Sequence, residues 1–517
     1  MINIKINNKE VTVEHGTSIL QAANSIGCEI PTMCYDENLP HFTSCMLCVV
    51  EDEKTGRLLP SCSYQCHSGM SILTDSEKVK QSRKTALELL LSEHIGDCEG
   101  PCTQTCPAEM NIPLMLKQIE QNKLDEAIVT IKNHIALPAI LGRICPAPCE
   151  KVCRRSQVDE TVAICNLKGY VAEWDLKQDK PYFPEKQLAT NKKIVIIGAG
   201  VTGLSTAWYL LQNGHSVSIY EKNSQPGGDL HNVELAGKLP KQLMQSEIDL
   251  IVKYGVEIGI GKEVGKDISV ENLLSDFDAI VLASGTNSQE LCNILSISGS
   301  NRGVNINKGT YQTDNPKIFA GGSVVAPSKM AVKSVAQGRE IALCIDDFLK
   351  TGEAKPLHKM FNSKIGKLLE IEKQFFQQES KPEKNTDVIE NLLQDDAEKE
   401  ASRCLHCECL KPNNCKLRDL ADEYGTKQSH FKGEDRVAIN KNFEHDLLIF
   451  ESGKCIKCGL CIRTTEQSKE KLGLTFIGRG FDVQVGVPLN NNLKQGLTET
   501  AKKCVEICPT GALAFRE

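Results

Sequence analysis

The chain has 517 residues and a net charge of −7, and at about 150 residues per domain its length predicts three or four domains. Its composition, 40% hydrophobic and 25% charged, is typical of a soluble globular protein, and no apolar run approaches the roughly 20 residues of a membrane span. The acidic balance argues against a nucleic-acid-binding protein. These figures exclude a membrane receptor and a disulfide mini-domain.

Cysteine is frequent, with 24 residues in a chain whose first residues lack the apolar core of a signal peptide. We therefore expect a cytoplasmic protein, in which thiols stay reduced and cysteines at this density indicate metal sites. Only Cys292 and Cys344 lie between residues 166 and 403. This distribution predicts clusters in both ends of the chain and a different cofactor in the middle. Nineteen cysteines fall in four groups, at 34–66, 98–106, 145–165 and 404–461.

Residues 1–80 predict a small β-rich domain with one metal site. Residues 2–13 alternate apolar and polar side chains around Asn7-Asn8, which predicts a β-hairpin, and residues 17–27 predict a short helix. Four thiolates with a tight central pair suit a [2Fe–2S] cluster, and zinc or four unrelated thiols are the alternatives. The four predicted ligands are Cys34, Cys45, Cys48 and Cys62.

Two segments around these cysteines resemble a known domain. Ile30-Pro-Thr-Met-Cys-Tyr and Ser44-Cys-Met-Leu-Cys-Val-Val-Glu resemble the N-terminal ferredoxin domain of the large electron-transfer subunit of respiratory complex I. The same domain occurs in NAD-linked iron hydrogenases and formate dehydrogenases. The resemblance implies a β-grasp [2Fe–2S] ferredoxin fold, with Cys28 and Cys66 as ordinary thiols.

Residues 81–185 predict a helical domain. It opens on an amphipathic helix at 84–93 and then has two groups of three cysteines, the second after Gly142. These groups resemble the N-terminal two-cluster domain of the glutamate synthase small subunit, whereas the His94-x3-Cys98 start resembles the complex I-like subunits. The resemblance implies two [4Fe–4S] clusters with interleaved ligands. One set is Cys98, Cys102 and Cys153, and the other is Cys106, Cys145 and Cys149.

Each of these sets needs a fourth ligand. His94 is the nearby donor for the first set, because an imidazole can replace a thiolate, and a surface histidine is the alternative. Lys168 stands near the position of the family's Glu or Gln ligand in the second set, but a protonated lysine is a poor ligand. We therefore expect Cys165, on the same predicted helix, to complete the second set.

Residues 190–352 predict a Rossmann-like domain. Gly198-x-Gly200-x-x-Gly203 follows an apolar strand and opens a helix, and Glu221 ends the next strand about 20 residues later. Glycines at this spacing let the backbone approach a pyrophosphate, and the acid accepts hydrogen bonds from ribose hydroxyls. This fingerprint alone does not separate NAD from FAD.

Later segments of this domain favour FAD. Pro226-Gly227-Gly228 and Phe319-Ala-Gly321-Gly322 resemble the FAD domain of the glutamate synthase small subunit. Ser323 stands where that family has an acid on the ribityl chain, so a flavin-free relic of the fold is the alternative. The family inserts a complete NAD(P)H-binding domain before Phe319, whereas about 33 residues are available here, too few for more than one βαβ unit. We expect that the chain does not itself bind NAD(P)H.

Residues 353–400 predict a partly helical linker, and residues 401–517 an iron–sulfur tail. Four thiolates within twelve residues suit a [4Fe–4S] cluster, with zinc as the alternative. They are Cys404, Cys407, Cys409 and Cys415.

The end of the tail predicts a ferredoxin-like domain with one [4Fe–4S] cluster. Cys455, Cys458 and Cys461 have the spacing of a bacterial ferredoxin, and the cysteine before Pro509 ligates the same cluster in that motif. Cys508 is therefore the fourth predicted ligand. The second ferredoxin site has lost three of its four cysteines, so we expect it to be empty, with Cys504 inert. Residues 476–481 also resemble the complex I-like and hydrogenase family.

Together these features predict a multidomain α+β and α/β chain with one [2Fe–2S] cluster, up to four [4Fe–4S] clusters and one FAD. No arrangement of side chains supports covalent or acid–base catalysis. The resemblances imply an electron-transfer subunit of a multi-subunit NAD-linked oxidoreductase, without showing whether it performs electron bifurcation. Its expected partners are an NADH-oxidising flavin subunit and ferredoxin or another redox subunit. The alternatives are a self-sufficient NAD(P)H oxidoreductase and a non-catalytic cluster scaffold.

Overall fold

The computed structural model describes residues 1–232, 237–286, 288–328, 330–378, 380–381, 394–433 and 436–516. They divide into two units. Unit 1 comprises Met1–Glu99, Met360–Gln378 and Cys407–Glu517, and unit 2 comprises Gly100–Lys359 and Glu379–His406. None of the described helices has the length and apolar character needed to cross a membrane.

The described residues form seventeen β-strands and nineteen α-helices. The strands, β1 to β17 in chain order, are Ile2–Ile6, Lys9–Val13, Val49–Asp52, Arg57–Pro60, Ser71–Leu73, Lys193–Ile197, Ser216–Glu221, Glu257–Ile260, Ala279–Leu282, Gly299–Ser300, Gly303–Val304, Ile318–Ala320, Lys441–Asn442, Leu448–Glu451, Thr475–Ile477, Gln484–Gly486 and Leu513–Phe515. The helices, α1 to α19, are Ile19–Ser25, Glu77–Glu93, Pro101–Thr105, Ile112–Glu120, Leu124–Lys132, Pro138–Ile144, Pro148–Lys151, Ile164–Leu176, Val201–Gln212, Lys241–Tyr254, Val270–Asp276, Ser288–Leu295, Ala331–Thr351, Glu370–Gln377, Gln394–Ala401, Lys416–Glu423, Leu460–Gln467, Leu493–Gly496 and Ala501–Ile507.

The first domain of unit 1 is a five-stranded sheet in the order β2-β1-β5-β3-β4. The predicted hairpin is confirmed: β1 and β2 pair antiparallel, and Asn7 and Asn8 have the positive φ that a tight hairpin turn requires. Alternate residues of β1 are buried, because one face of the sheet packs on α1. The predicted helix is also confirmed, and Ser18 begins it with a capping box to Gln21.

The rest of unit 1 packs around a second apolar core that includes metal-ligand candidates. This core joins α2, α16 and the start of α17, and it contains Cys34, Cys415 and Cys458. Part of the predicted linker belongs to this unit, because residues 360–378 lie in it and Ser363 is buried. The remaining strands form a three-stranded sheet, β13-β14-β17, and the ribbon β15-β16.

Unit 2 contains a parallel sheet in the order β12-β9-β6-β7-β8. All four described residues of β9 are buried, as expected of a strand covered on both faces. Helices α9 and α13 pack closely, and a Cβ at Gly338 would lie 2.7 Å from that of Ser205. Between β9 and β12, the described residues form α12 and the short ribbon β10-β11. The Rossmann-like fold is thereby confirmed.

Six helices, α3 to α8, form the other layer of unit 2. Helices α6 and α8 cross where Gly142 faces Gly169, and a Cβ at Gly142 would lie only 2.5 Å from Gly169 Cα. Glu247 of α10 accepts hydrogen bonds from the backbone N–H groups of Ala139 and Ile140, both at 2.7 Å. These bonds satisfy free amides at the start of α6 and fix it to the sheet domain.

Candidate iron-sulfur and flavin sites

The four cysteines of the predicted [2Fe–2S] ligand set come together beside the first sheet. We call them the N-terminal site: Cys34, Cys45, Cys48 and Cys62. All four are buried, and the thiols form two contacting pairs, Cys34 with Cys45 and Cys48 with Cys62. The loop that connects them has positive φ at Thr43 and Met46, which turns its amides inward. The N–H groups of Ser44 and Cys45 point at Cys34 Sγ, at 3.3 and 3.5 Å.

The chemistry of this donor set fits a cluster. The hydrogen bond from the Cys45 thiol lowers the pKa of Cys34 to about 5, and the one from Cys48 lowers the pKa of Cys62 to about 7. Each pair thus has a hydrogen bond that stabilises a thiolate, the form of cysteine that binds metal. Hydrogen bonds to cluster sulfurs also raise reduction potentials. The residues present therefore fit a [2Fe–2S] cluster.

The predicted ferredoxin ligands also come together in unit 1. We call them the C-terminal site: Cys455, Cys458, Cys461 and Cys508. All four line one cavity, whose other walls include Phe450, Val485 and Leu513. Burial raises the pKa of Cys455 to about 11 and that of Cys458 to about 12. Thiolates in such an apolar cavity need a compensating positive charge, which cluster iron supplies.

A carboxylate fixes the segment that would bind a second cluster in a two-cluster ferredoxin. Glu470 accepts hydrogen bonds from the hydroxyls of Thr498 and Thr500 and from the backbone N–H groups of Glu499 and Thr500. Thr465 is buried and donates to Ile462 O. Cys504 is fully buried, with its thiol 3.8 Å from Cys461 O. Side-chain and backbone hydrogen bonds thus hold the segment where a second cluster would bind in a ferredoxin.

A third group of thiols in unit 1 differs from the grouping that we expected. Cys98 lies beside Cys409 and Cys415, within electrostatic range of both. The backbone N–H of Cys409 donates to Cys98 O at 3.2 Å. Ser363 approaches Cys98 Sγ with its hydroxyl at 3.2 Å and its N–H at 3.4 Å. We call Cys98, Cys409 and Cys415 the tail site. Cys407 also belongs to unit 1.

Other predicted ligands belong to unit 2. Cys102 and Cys153 of the first helical-domain set and Cys404 of the tail set pack, partly buried, against the core of the helical layer. The cysteines predicted to share their clusters, Cys98 in the first helical-domain set and Cys407, Cys409 and Cys415 in the tail set, belong to unit 1. The segment before Cys404 is fixed there by Arg403, whose guanidinium binds Glu400 and Asp159. The second predicted set is brought together in full, and we call it the helical-domain site. Its members are Cys106, Cys145, Cys149 and Cys165.

The charge balance of the helical-domain site supports cluster binding. A hydrogen bond from Cys165 lowers the pKa of Cys145 to about 6. Lys168 is buried with its Nζ 3.6 Å from Cys165 Sγ and 3.3 Å from Leu141 O. Burial opposes its charge, but the surrounding cysteines outweigh that cost and raise its pKa. Lys168 therefore acts as a buried cation beside the thiols, and Cys165 occupies the position expected of the fourth ligand.

Replacing Gly142 by alanine is expected to open this site. The new Cβ would collide with Gly169, and overpacking of this kind costs about 1–3 kcal/mol. Because Cys145 follows the last residue of α6 and Cys165 lies on α8, moving the helices apart separates two proposed ligands. We expect a lower urea midpoint and the loss of one cluster's iron, whereas Lys177→Ala at the exposed end of α8 changes neither. Unchanged iron in Gly142→Ala would show that the crossing does not hold the site.

The glycine motifs of the predicted flavin domain converge at the start of α9. A Cβ at Gly203 would lie 2.1 Å from Gly198 O, so helix and turn approach as closely as backbones allow. A Cβ at Gly228 would lie 3.1 Å from Gly200 Cα, and one at Gly322 would lie 2.4 Å from Thr202 Oγ1. A Cβ at Gly200 would meet no atom within 4 Å. The turn thus faces open space at the end of a helix, where a pyrophosphate binds.

Side chains around this turn are also consistent with a dinucleotide. Glu221 is buried, and its carboxylate accepts hydrogen bonds from the N–H groups of Ala199 and Asn223 at 2.8 and 2.9 Å. A carboxylate has about four lone-pair positions, so two are left for ribose hydroxyls. Gly227 and Gly321 flank the same turn, and Gln337 accepts a hydrogen bond from Gly322 N–H. Ser323 lies half-buried in a short turn after Gly321.

Among the described residues, no three His, Cys, Asp or Glu side chains are spaced to hold a single metal ion. A cluster differs from a single ion, because several irons share four protein ligands.

Family models match four stretches of the chain, and together they confirm the predicted combination of domains. Residues 1–77 match a 2Fe-2S iron-sulfur cluster binding domain. Residues 73–180 match domain II of dihydropyrimidine dehydrogenase, with a 4Fe-4S cluster. Residues 165–338 match pyridine nucleotide-disulphide oxidoreductase, and residues 446–514 match the ferredoxin-like domain of NADH-quinone oxidoreductase subunit 3.

Curated relatives share about a third of this chain. The NADPH-Fe(3+) oxidoreductase subunit beta of Geobacter sulfurreducens is 40% identical over 190 residues, 36% of this chain and 28% of that protein. The NADP(+)-dependent formate dehydrogenase subunit beta of Moorella thermoacetica is 34% identical over 207 residues, 36% of this chain and 29% of that protein. The NAD-dependent dihydropyrimidine dehydrogenase subunit PreT of Salmonella typhimurium is 33% identical over 189 residues, 36% of this chain and 46% of that protein.

The chain spans less than half the length of each of these relatives. Three of its four matched stretches are domains of oxidoreductases and the fourth is a 2Fe-2S cluster binding domain, so that domains for 2Fe-2S clusters, 4Fe-4S clusters and FAD occur in one polypeptide. The chain is therefore a mosaic of four domains. In chain order it combines a 2Fe-2S domain, a 4Fe-4S helical domain, a flavin domain of the pyridine nucleotide-disulphide oxidoreductase type and a ferredoxin-like domain of the NADH-quinone oxidoreductase subunit 3 type.

Proposed function

We propose that the chain is the electron-transfer subunit of a multi-subunit NAD-linked oxidoreductase. In this role it relays electrons between an NADH-oxidising flavin subunit and ferredoxin or another redox subunit. When bound, iron–sulfur clusters exchange single electrons and a flavin exchanges one or two. The observation that supports this proposal best is the contiguity of the three thiol sites within unit 1.

Arg463 connects the N-terminal site to the C-terminal site. Its Nη2 donates to Cys34 O and to Cys458 O, both at 3.1 Å, and its Nε donates to Gly459 O. The guanidinium is buried and lies over the ring of Phe42, 5.4 Å from its centroid. One side chain thus fixes a ligand backbone of each site, and its charge lies between the two positions where clusters would bind.

The C-terminal site in turn contacts the tail site. A Cβ at Gly511 would lie 2.1 Å from Cys409 Sγ, so the chain after Cys508 passes directly over that sulfur. Lys411 donates to Cys508 O at 2.8 Å and to Val505 O at 3.0 Å. Packed backbone and shared hydrogen bonds therefore link all three sites, which is the arrangement that a relay of single electrons requires.

The test is an anaerobic titration of the native complex and of the isolated chain with NADH and NADPH, followed by visible absorbance. We expect the isolated chain to bleach slowly, because few residues between β9 and β12 are available for a nicotinamide domain. The complex with its NADH-oxidising subunit should bleach rapidly. Rapid bleaching of the chain alone overturns the proposal in favour of a self-sufficient oxidoreductase. A native preparation without redox partners or flavin would favour a scaffold.

Replacing Arg463 by glutamine is expected to lower the reduction potentials of two clusters at once. The variant removes a buried positive charge near both sites, and cluster potentials depend on local charge and hydrogen bonding. The measurement is a redox titration followed by EPR. Arg463→Lys keeps the positive charge but loses the several N–H donors of the guanidinium. The reduction potentials of the two clusters in this variant should therefore lie closer to those of the unchanged protein. If the potential of only one cluster's EPR signal shifts, Arg463 does not act on both sites.

A further inference from the structure

We infer that Cys98, Cys409 and Cys415 bind one [4Fe–4S] cluster together with His94, so that the helix α2 region and the tail share a single site. This grouping differs from the one expected from the sequence, which placed Cys98 with cysteines of the helical domain. Residues 404–415 lie between the matched stretches 165–338 and 446–514, so the match to known domains does not assign them.

Backbone hydrogen bonds connect Cys98 with Cys409 and with Ser363, and Cys415 lies within electrostatic range of both cysteines. Cys409 N–H donates to Cys98 O, and Cys98 N–H donates to Ser363 O at 3.4 Å. Cys409 and Cys415 are both nine-tenths or more buried, and Cys98 is also buried. Neutral thiols are readily buried, but the thiolates that bind metal need a counter-charge in such surroundings. Cluster iron would supply this charge, as we also expect at the C-terminal site.

His94 is the fourth donor that the geometry favours. It ends α2 four residues before Cys98, it is 6% exposed, and its Nδ1 is buried without a hydrogen-bond partner among the described residues. The backbone carbonyl of Lys454 accepts a hydrogen bond from the ring. A metal-binding histidine has this arrangement, because one nitrogen is fixed by a carbonyl and the other is left for the metal.

His94 and the tail site have two neighbouring side chains in common. Lys454 and Glu451 interact with His94 and with Cys409. Ile95 N–H donates to Gly453 O at 2.7 Å, and a Cβ at Gly96 would lie 2.8 Å from the Lys454 side chain. The segment 94–98 is thus packed against residues 451–454, which also border Cys409. All of these residues belong to unit 1.

The test compares iron content and EPR signals of Cys98→Ala, Cys409→Ala and the double variant in the full chain. If one cluster holds both cysteines, each single variant loses about four irons and the same EPR signal, and the double variant loses no more. If Cys98 and Cys409 serve different clusters, the double variant loses about eight irons, and the inference is overturned. Unchanged iron in either single variant also overturns it.

A second set of variants keeps the test decisive if alanine prevents folding. Cys98→Ser and Cys409→Ser should perturb the same EPR signal, because a serine oxygen can replace the thiolate, and perturbation of two different signals would contradict the inference. His94→Cys should retain the iron and lower the potential of that signal, since imidazole ligands raise cluster potentials. An unchanged potential excludes His94 as the ligand. These readouts are independent of the NADH titration, so the ligand set and the proposed function can fail separately.

Discussion

Replacing Cys508 by alanine is expected to remove one [4Fe–4S] cluster, about four irons per chain, and leave the other clusters in place. Cys508 is separated from its three fellow ligands by more than forty residues, yet it lines the same cavity. Without its thiolate, the cluster would have one iron with no protein ligand in a buried, largely apolar space. Iron and sulfide analysis together with EPR measures the loss, and far-UV circular dichroism reports on the fold.

Cys504 provides the matched control for this experiment. It lies on α19, which ends one residue before Cys508, and it is fully buried. It belongs to the half of the ferredoxin motif whose segment is fixed by hydrogen bonds to Glu470. Cys504→Ala is expected to keep all of the iron and to cost only the small cavity left by one sulfur atom. Loss of a cluster from Cys504→Ala, or its retention in Cys508→Ala, would refute the ligand assignment.

Replacing Gly200 by alanine is expected to abolish flavin binding without disturbing the apo fold. The new Cβ would meet no protein atom within 4 Å, so the substitution creates no steric clash in the protein itself. The methyl group would instead point into the space where the pyrophosphate approaches the turn, which requires close contact with the backbone. Flavin released by acid precipitation measures the binding, and a thermal unfolding curve measures the fold.

Gly237→Ala is the control for that substitution. A Cβ at Gly237 also meets no atom within 4 Å, and its backbone has no positive φ, so the change in chain flexibility is comparable. We expect this variant to retain the flavin of the unchanged protein. If Gly200→Ala retains flavin as well, the dinucleotide does not bind at this turn. If the unchanged chain releases no flavin while its iron is intact, the domain is a relic of the fold.

Features that depend on neighbours in the sequence could be predicted without the structure. The hairpin and α1 follow from short-range periodicity, and the proposed ligands Cys34, Cys45, Cys48 and Cys62, like Cys455, Cys458 and Cys461, follow from fixed spacing within one short segment. The glycine turn likewise follows from a strand, a helix start and Glu221, all within about 25 residues. In each case local geometry determines which side chains meet, so the pattern of residues contains the information.

Features that depend on distant segments could not be predicted in this way. Cys98 meets Ser363 across 265 residues, and Arg463 reaches Cys34 O across 429. No periodic signal connects such positions, and spacing alone grouped Cys98 with cysteines nearer in the sequence. The packing role of Gly169 could not be predicted for a related reason. A glycine within a helix can be recognised as a packing residue only when the helix opposite it is known. The contacts between segments, rather than the segments themselves, required the structure.

The division of the chain into units has a consequence for how the protein is made. Unit 1 is interrupted by almost all of unit 2, since its segments end at Glu99 and resume at Met360. During synthesis at roughly 5–20 residues per second, Ser363 emerges on the order of 10–60 s after Cys98. The thiol of Cys98 therefore lacks its neighbour Ser363 until most of unit 2 has been synthesised. With the ligand set inferred above, iron insertion at Cys98 has to follow the synthesis of Cys409 and Cys415.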